Sequence, residues 1–545
     1  MPRLDDALRA AHRAAHRATF LDALHNGSAK PLLLPYSILG SFIVPTLWLA
    51  IPHASRPWLY QTRWAVMGFV VLFNVHILRV CSSTNYAWAY AAGLMASWGI
   101  LLSMNLLIWK RPQFEAARVI RVAKAAEAKA KDDESEDGGG HNVVTTSGHT
   151  SSVHQGLRHR KLDSSTPPQD SHASGTTTDH VFEYRWQTFP AEASFPERLG
   201  WAMDLMSSFR GAGWSYSISS IPRPVIPQTI HQNAKVDTRS IPRQTTSGYN
   251  RPMTETELVR SRLAYVLCTY IILDLLALVI QIIKDPFFVL GPDNGYDLPP
   301  GLASKPPWML LLYREAFSLV TVWAAITAVF TLGDVVQYYF LSYFFPSRAI
   351  LWQHASTFGK FSEVLDRGLA GWWGGWWHQT FRLELLAPST YLLKTGYIKK
   401  GTQAADAFGL FVTFLQSGLM HAAGSFTTIP QTKPWRPLLF FLLQGLGIAV
   451  QQRLALSLRN HVSKLPRAMR RCGNLAFCLV WLYFTAALFV NDLASMGFWL
   501  IEPVPISPLR FLGFGPAGDH WWRLDADNWL KVYPWKHWWE IGVAL

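Results

Sequence analysis

Long apolar runs constrain this chain more than any other feature of its sequence. A helix needs ~20 mostly apolar residues to cross a bilayer, and several runs reach or approach that length. Eight such runs lie at 33-52, 64-80, 86-109, 263-284, 317-345, 407-427, 437-451 and 474-491. They predict an all-α, polytopic bundle of about eight transmembrane helices. The fifth run is unusually long and fits a tilted span, or a span with an interfacial extension.

Composition supports a membrane protein and argues against a nucleic-acid partner. Hydrophobic residues make up 50% of the chain and charged residues only 16%, whereas about a quarter of a soluble domain is charged. The net charge of +14 comes without the aromatic-interleaved basic motif of a nucleic-acid module. Basic loops on the cytosolic side of a membrane explain it better. The sequence therefore predicts the lipid bilayer as a partner, and no nucleic acid.

The order of apolar and polar stretches predicts the organisation of the chain. Segment 123-180 is rich in Ser, Thr, Gly, Pro and Asp and has almost no large apolar residue, so it is expected to be a disordered loop. The predicted parts are an N-terminal amphipathic or flexible segment (1-30), three spans (31-110), a cytosolic region with the insert (111-258), a catalytic transmembrane core (259-500) and a C-terminal interfacial segment (501-545).

Charge alternates between the loops and predicts an orientation. The loop 346-406 holds seven Lys and Arg, whereas 285-308 holds only Lys305. Because cytosolic loops carry the excess of Lys and Arg, loops 110-258, 346-406 and 452-473 are expected in the cytosol. The N-terminal segment does not fit this orientation, since its five positive charges would lie on the side of the membrane opposite the cytosol.

One histidine lies inside a predicted span. His421 falls in AFGLFVTFLQSGLMHAAGSF, where an ionisable side chain is costly and is a candidate functional group by default. Ser417 and Gly418 before it, and Gly424 and Ser425 after it, share its helical face. This small, polar face predicts close helix packing and room beside the imidazole. The ring suits a general base near neutral pH, and a structural histidine bonded across helices is the alternative.

A second histidine, His378, lies in GLAGWWGGWWHQTFRLEL (368-385). Glycines let a backbone and a ligand come close, and tryptophans can wall a dry cavity in which a hydrogen bond to a developing charge is strong. The alternative is an interfacial aromatic belt. The candidate donor-binding and substrate-binding residues are Trp376, Trp377, Gln379, Arg382, Ser417 and Ser425. A G-x-S-x-G serine site is absent from the sequence, and no metal site is predicted.

Three segments together resemble a known family. They are RLGWAMDLMSSFRGAGW (198-214), GWWGGWWHQTFR (371-382) and LQSGLMHAAG (415-424). In order and placement they are similar to the wax-synthase-like branch of the membrane-bound O-acyltransferase superfamily. Within that branch they look like the fungal members that acetylate hydroxyls of terpenoid and polyketide-derived metabolites. The resemblance covers the chain from about residue 30 to about residue 500.

The resemblance implies a fold, a reaction and two catalytic positions. His421 matches the intramembrane catalytic histidine of that family, and His378 matches its second active-site position, where Asn or His stands. The implied co-substrate is acyl-CoA, with acetyl-CoA favoured, and no cofactor is bound. The implied acceptor is a small lipophilic hydroxylated metabolite, and the implied location is a multi-pass protein of the endoplasmic reticulum membrane.

Two further interpretations complete the sequence reading. Coenzyme A is a polyanion, so Arg382, Lys394, Lys399 and Lys400 are candidate phosphate contacts; ordinary positively charged residues of a cytosolic loop are the alternative. Rival functions are a long-chain wax or sterol ester synthase and a non-enzymatic transporter. The repeated halves typical of transporters are not visible in the sequence.

Overall fold

The structure is a computed structural model that describes residues 6–123, 182–516, 518–524, 530–533, 537 and 541–544. Apart from Ala123, the predicted disordered insert 123-180 lies outside the described residues. Much of the C-terminal segment 501-545 is described, up to Leu524 with one gap and then in short pieces.

Helices form most of the described chain. The longer helical segments are α1 (Asp6–His25), α2 (Tyr36–Ala50), α3 (Pro57–Val80), α4 (Tyr86–Trp109), α5 (Phe195–Ser207), α6 (Glu255–Ile283), α7 (Pro307–Phe344), α8 (Gln403–Phe426), α9 (Trp435–Ser457) and α10 (Arg467–Ser495). Shorter helical turns are Pro112–Glu115, Phe209–Gly211, Thr238–Ser240, Pro286–Leu290, Pro300–Ala303, Pro346–Arg348, Leu351–Gln353, Ser362–Arg367, Leu369–Gly371, Trp372–Trp376, Arg382–Leu385, Ala387–Lys394, Arg459–Val462, Phe498–Leu500 and Pro508–Phe511.

Seven of these helices within the described residues, α3, α4 and α6 to α10, are long and apolar enough to cross a membrane. The all-α polytopic fold is therefore confirmed, and seven of the eight predicted runs form such helices. The first run forms the shorter α2 instead. Its first residues, Leu33–Leu34, join a strand pair, and the helix ends at Ala50, close before Pro52, because the position preceding a proline disfavours helical backbone.

The long fifth run belongs to one continuous helix. Helix α7 has 38 residues, which corresponds to a length of about 57 Å. Because the apolar part of a bilayer is only about 30 Å thick, a helix of this length must tilt or extend beyond the membrane core.

The spanning helices pack in a row that differs from their order in the chain. Neighbours in the row are α3, α4, α8, α9, α10, α7 and α6, so α8 lies between α4 and α9. Glycines permit this packing. A Cβ added to Gly93 of α4 would lie 1.9 Å from the Ala423 carbonyl oxygen of α8, and one added to Gly418 would lie 3.0 Å from the Leu438 carbonyl oxygen of α9.

Ion pairs and hydrogen bonds sort the loops into two groups at opposite ends of the helices. At one end, Lys394 pairs with Glu115 at 3.0 Å and Arg471 pairs with Asp366 at 2.7 Å. We call this end the basic side, since the loops 110-258, 346-406 and 452-473 meet there.

The other group of loops meets at the opposite end. There Lys433 pairs with Asp293 at 2.9 Å, and His12 of α1 lies 2.8 Å from the Tyr296 hydroxyl. The N-terminal helix α1 thus lies with the loop 285-308, as the alternation of loop charges requires despite the positive charges of α1.

Short strands occur only outside the spans among the described residues. Strands β1 (Lys30–Pro31) and β3 (Cys81–Ser82) pair in parallel, and β2 (Leu33–Leu34) and β6 (Lys531–Tyr533) flank β7 (Gly542–Ala544). The longest pair is antiparallel, β4 (Arg118–Ala123) with β5 (Phe182–Gln187). Its last partners are Ala123, the first residue of the predicted insert, and Phe182, which lies two positions after the end of the insert.

Candidate active site

The tryptophan-rich segment 368-385 folds back into the bundle as a chain of short helical turns. Its π-helical turn, Trp372–Trp376, closes with a bond from the Trp377 amide to the Trp372 carbonyl. The Gln379 amide nitrogen donates to the Trp373 and Trp377 carbonyls at 2.9 and 2.7 Å. The predicted donor group Gln379 therefore holds the shape of this segment.

Arg382 is likewise engaged inside the segment. Its guanidinium donates to the Gly374 carbonyl at 2.8 Å and to Gln379 Oε1 at 2.6 Å. Lys394, the second predicted phosphate contact, pairs with Glu115. Both cations thus have protein partners, and an anionic ligand would have to replace or share them.

The predicted wall residues Trp376 and Trp377 lie side by side on the motif. Their ring centroids are 5.6 Å apart. Phe361 approaches Trp376 at 5.2 Å, and Phe358 approaches Trp377 at 5.4 Å. Together these rings form an aromatic wall next to His378.

His378 is half-buried within this wall. Its ring lies 5.7 Å from that of Trp377 and 6.1 Å from that of Phe330 of α7, and its Nδ1 lies 3.2 Å from the Thr380 hydroxyl. Burial, with a smaller contribution from the Arg210 charge, lowers the pKa of His378 to about 4. The ring is therefore neutral near pH 7, with one N–H donor and one acceptor nitrogen.

His421 is fixed on α8 by contacts from three other helices. Its Nδ1 lies 2.7 Å from the Tyr90 hydroxyl of α4. Phe441 of α9 stacks on the imidazole with centroids 4.5 Å apart and planes 9° apart, and Phe489 of α10 meets it edge-on at 5.3 Å. Among the described residues, Nε2 has no hydrogen-bond partner, so this nitrogen is available to a substrate.

A buried carboxyl group completes the surroundings of His421. Asp492 of α10 is 1% exposed; it accepts a hydrogen bond from the Ser425 hydroxyl and one from the Lys433 amide at 3.1 Å. Its charge also acts on Tyr90, the partner of His421. Ser425 lies between Asp492 and the His421 backbone, because its hydroxyl is also 3.3 Å from the His421 carbonyl oxygen.

The small residues around His421 do not leave the open space that the sequence suggested. A Cβ on Gly424 would lie 2.6 Å from the Tyr90 ring, and Gly418 faces Leu438 closely. Ser425 is fully buried and bonded to Asp492, and Ser417 is half-buried. This face of α8 therefore serves close helix packing, and Tyr90 fills the space beside the imidazole.

The two histidines belong to one site. A series of ring contacts links them, because the His378 ring lies 5.7 Å from Trp377 and the Trp377 ring lies 5.9 Å from Trp373. Trp373 joins the two segments, since its ring lies 5.8 Å from Phe441, the ring that stacks on His421. The structure thus places the tryptophan-rich segment against the residues around His421.

The segment 198-214 supports the site from the basic side. Trp201 and Trp214 are fully buried against each other at 4.9 Å. Arg210 donates to the Ala355 and Ser356 carbonyls at 3.0 and 2.9 Å, and its charge reaches His378. All three sequence segments of the resemblance therefore meet around one pair of histidines.

The sequence did not identify three residues near His421. Tyr90 and Phe441 look like ordinary apolar-helix residues, and only the packing of α4 and α9 against α8 brings them to the imidazole. Asp492 carried a usable signal, because an acidic residue at the end of an apolar run is a functional candidate for the same reason as His421.

The fold and the site define a polytopic membrane protein with a pair of histidines enclosed among its spanning helices. The model of the Membrane bound O-acyl transferase family matches residues 352–443, a range that contains both histidines. This part of the chain is therefore similar to members of that family.

Relatives with curated names are similar over parts of their length. The chain is 26% identical to Acetyltransferase aurG of Calcarisporium arbuscula over 28% of this chain and 37% of that protein. It is 24% identical to Acetyltransferase ple2 of Rhodocybe pseudopiperita over 51% and 64%. It is 22% identical to O-Mevalon transferase yanI of Aspergillus niger over 42% and 46%.

The chain therefore matches less than two thirds of the length of each of these three relatives. No solved structure matches it significantly.

Proposed function

We propose that this protein transfers an acyl group, preferentially acetyl, from acyl-CoA to a hydroxyl of a lipophilic terpenoid or polyketide-derived metabolite. The observation that carries the proposal is the orientation of His421, with Nδ1 held by Tyr90 and Nε2 free, close to the neutral His378. The family match and the two relatives named acetyltransferase support acyl transfer as the reaction.

In the proposed mechanism His421 acts as the general base. Its Nδ1–H donates to the Tyr90 oxygen, which leaves the Nε2 lone pair to accept the proton of the acceptor hydroxyl. The hydroxyl oxygen attacks the thioester carbonyl carbon and a C–O bond forms. The C–S bond then breaks, and the CoA thiolate takes the proton back from Nε2. The products are the ester and free CoA, with no covalent acyl-enzyme.

His378 is proposed to stabilise the charge that develops on the carbonyl oxygen. A neutral imidazole can donate its N–H to that oxygen, and such a bond is strong in a site screened from water. The aromatic residues around His378 provide the screening, and they also suit a lipophilic acceptor. Trp376 and Trp377 would line the acceptor or acyl group, whereas Gln379, Arg382, Ser417 and Ser425 would act by holding the shape of the site.

A larger acyl group is the second candidate. The relatives named O-Mevalon transferase, yanI and macI of Penicillium terrestre, are 22% and 23% identical to the chain. Assays with acetyl-CoA, a branched short-chain acyl-CoA and a long-chain acyl-CoA separate these donors and also test the ester synthase alternative.

The test uses microsomes that contain the protein, labelled acetyl-CoA and an extract of hydroxylated fungal metabolites. We expect a labelled ester whose formation falls by ~10²–10⁴ in His421→Ala, the range for loss of a general base. His461→Ala, an exposed histidine on the basic side, is the matched control and should keep the parental rate. Parental turnover in His421→Ala would remove the general-base assignment.

A further inference from the structure

A basic cavity opens on the same side as the tryptophan-rich segment. It has a volume of about 380 Å³ and lies between α9, the first turns of α10 and the helix Ser362–Arg367. Its ionisable lining residues are Asp366, Arg367, Arg467, Arg470 and Arg471. Four arginines and one carboxylate therefore line the cavity, and a second carboxylate, Glu363, pairs with Arg367 at 3.1 Å.

The positive charge of this cavity is only partly balanced. Asp366 binds Arg471 through two bonds of 2.7 and 2.8 Å and lies 3.5 Å from Arg467. Arg470 has no carboxylate partner among the described residues. The first turn of α10 contains no acidic residue, although the partial positive charge of a helix N-terminus disfavours cations there. The surplus of positive charge is what an anionic ligand would neutralise.

The wall of the cavity is held by polar bonds. Gln451 of α9 accepts a bond from the Leu369 amide at 2.8 Å, and Asn474 of α10 donates to the Leu365 carbonyl at 2.9 Å. These bonds hold the backbones of α9 and α10 beside the start of the tryptophan-rich segment. Guanidinium groups suit phosphate oxygens, which they can bind through paired hydrogen bonds.

The inner end of the cavity adjoins the residues that contact His421. Ala370 and Ile448 line the cavity and pack in the same apolar cluster as Phe441, which stacks on His421. Ile448 and Phe441 are seven positions apart on α9, about 10 Å along the helix. A ligand with an anionic head and a long neutral arm could therefore hold its head at the arginines and direct its arm toward the histidines.

We propose that this cavity binds the phosphate groups of the CoA donor, with Arg467 and Arg470 as the principal contacts. This proposal rests on the proposed function, because it presupposes a CoA thioester as donor. It also moves the expected phosphate contacts from Arg382 and Lys394, which have close protein partners, to the arginines of α10. Of these, Arg470 has no carboxylate partner among the described residues, and Arg467 reaches Asp366 only at 3.5 Å. The headgroup of an anionic phospholipid offers the same phosphate chemistry, so the experiment must separate the two sources.

The experiment compares the parent with the double variant Arg467→Gln/Arg470→Gln in neutral phosphatidylcholine nanodiscs. We expect the KM for acetyl-CoA to rise about tenfold or more, since charge-assisted bonds are lost, while kcat stays within about twofold. The KM for acetyl-pantetheine, a thioester without phosphate groups, should not change between the two proteins. Arg459→Gln, an exposed arginine on the same side that does not line the cavity, should keep parental constants.

The other possible results distinguish failure of the cavity assignment from failure of the proposed acyl transfer. A parental KM for acetyl-CoA in the double variant overturns the cavity assignment and leaves the proposed reaction intact. A difference between parent and variant that appears only when phosphatidylserine is added to the nanodiscs assigns the cavity to lipid and overturns the donor site. If no acyl transfer is found, the proposed function fails, and calorimetry with CoA tests the cavity by itself. The cavity is supported if CoA binds to the parent in a salt-sensitive way and does not bind to the double variant.

Discussion

At the scale of single residues, Tyr90 contacts Nδ1 of His421 and leaves Nε2 without a hydrogen-bond partner among the described residues. A neutral histidine has one basic ring nitrogen, and a neighbour that accepts the proton of the other nitrogen selects which one is basic. Tyr90 is well suited to that role, because it lies 2.7 Å from Nδ1 and within the field of Asp492. We therefore regard Tyr90 as a positioning residue and His421 as the group that meets the substrate.

Replacement of Tyr90 by Phe tests this role. The ring remains to fill the space against Gly424, but the bond to Nδ1 is lost and His421 can adopt either tautomer. We expect kcat to fall about ten- to a hundredfold, as for loss of an orienting hydrogen bond near a reacting centre, with little change in KM for the donor. The measurement is steady-state acetyl transfer by purified variants.

Tyr36→Phe is the matched control, since Tyr36 lies 3.5 Å from another histidine, His76, at an exposed site. Its kcat should equal that of the parent. A Tyr90→Phe enzyme with parental kcat would show that the stacked Phe441 alone fixes the imidazole.

The proposed donor role of His378 predicts a graded series. His378→Asn keeps an N–H donor at this position, whereas His378→Ala has none. We expect the Ala variant to lose about 10²–10³ in kcat, the cost of removing one oxyanion donor, and the Asn variant to retain several-fold more activity than Ala. Equal activities of the two variants, measured with saturating donor, would contradict a hydrogen-bonding role and favour a packing role.

The two histidines could be predicted from the sequence because each stands out locally. His421 interrupts an apolar run, and His378 lies among four tryptophans. Their partners could not be predicted in the same way. Tyr90 is 331 positions from His421 in the chain, and no local pattern reports which faces of α4 and α8 meet.

At the scale of elements, the apolar runs predicted the spanning helices because length and hydropathy alone determine such segments. The length of helix α2 was overestimated, since the apolar run 33-52 does not show that a strand pair precedes the helix and a proline ends it. The pair β4–β5 was missed for a different reason. Its partners stand on either side of a long polar insert, so the sequence presents them as two unrelated short stretches.

The register of β4 and β5 makes a precise deletion possible. Ala123 and Phe182 face each other at the open end of the pair, and two residues such as Asn-Gly can close an antiparallel pair in a tight turn. Because the composition of 124-180 offers no apolar core, replacing 124-181 by Asn-Gly should leave folded yield and activity within a few-fold of the parent.

Size-exclusion chromatography in detergent and the acetyl-transfer assay check the deletion. Trp186→Ala in the intact chain is the opposite control, since Trp186 is fully buried in the core under this strand pair and its loss should reduce folded yield. Aggregation of the deletion variant would mean that the insert contributes to the fold.

At the scale of the whole molecule, the sorting of loops to two sides predicts its orientation in a membrane. The basic side carries the tryptophan-rich segment and the arginine cavity, and the excess of Lys and Arg favours the cytosol for it. Protease added to sealed microsomes should therefore cut within the insert, whereas an epitope placed in the loop 292-299 should be protected until detergent is added. Protection of the insert would reverse the orientation and place the donor cavity away from cytosolic acyl-CoA.

Buried histidines at three places in the molecule predict how its stability depends on pH. Burial lowers the pKa of His16, whose ring centroid lies 4.0 Å from that of Tyr86, to about 4. Burial likewise lowers the pKa of His53, stacked on Trp48, to about 4, with a smaller contribution from the Arg63 charge. His378 behaves in the same way. All three lie outside the spanning helices.

In the unfolded chain a histidine has a pKa of about 6.5, so between about pH 6.5 and pH 4 the unfolded state binds more protons than the folded state. The contribution of these groups is therefore fully present above about pH 6.5 and is lost as the pH falls toward 4. We expect the Tm of the detergent-purified protein to decline progressively over this window.

His53→Gln should lower the Tm near neutral pH, because the stacking on Trp48 is lost, but should make the decline of Tm with falling pH shallower. His25→Gln, which alters an exposed side chain, should leave the decline unchanged. A parental slope in His53→Gln would mean that other groups, such as paired carboxylates, control the acid sensitivity.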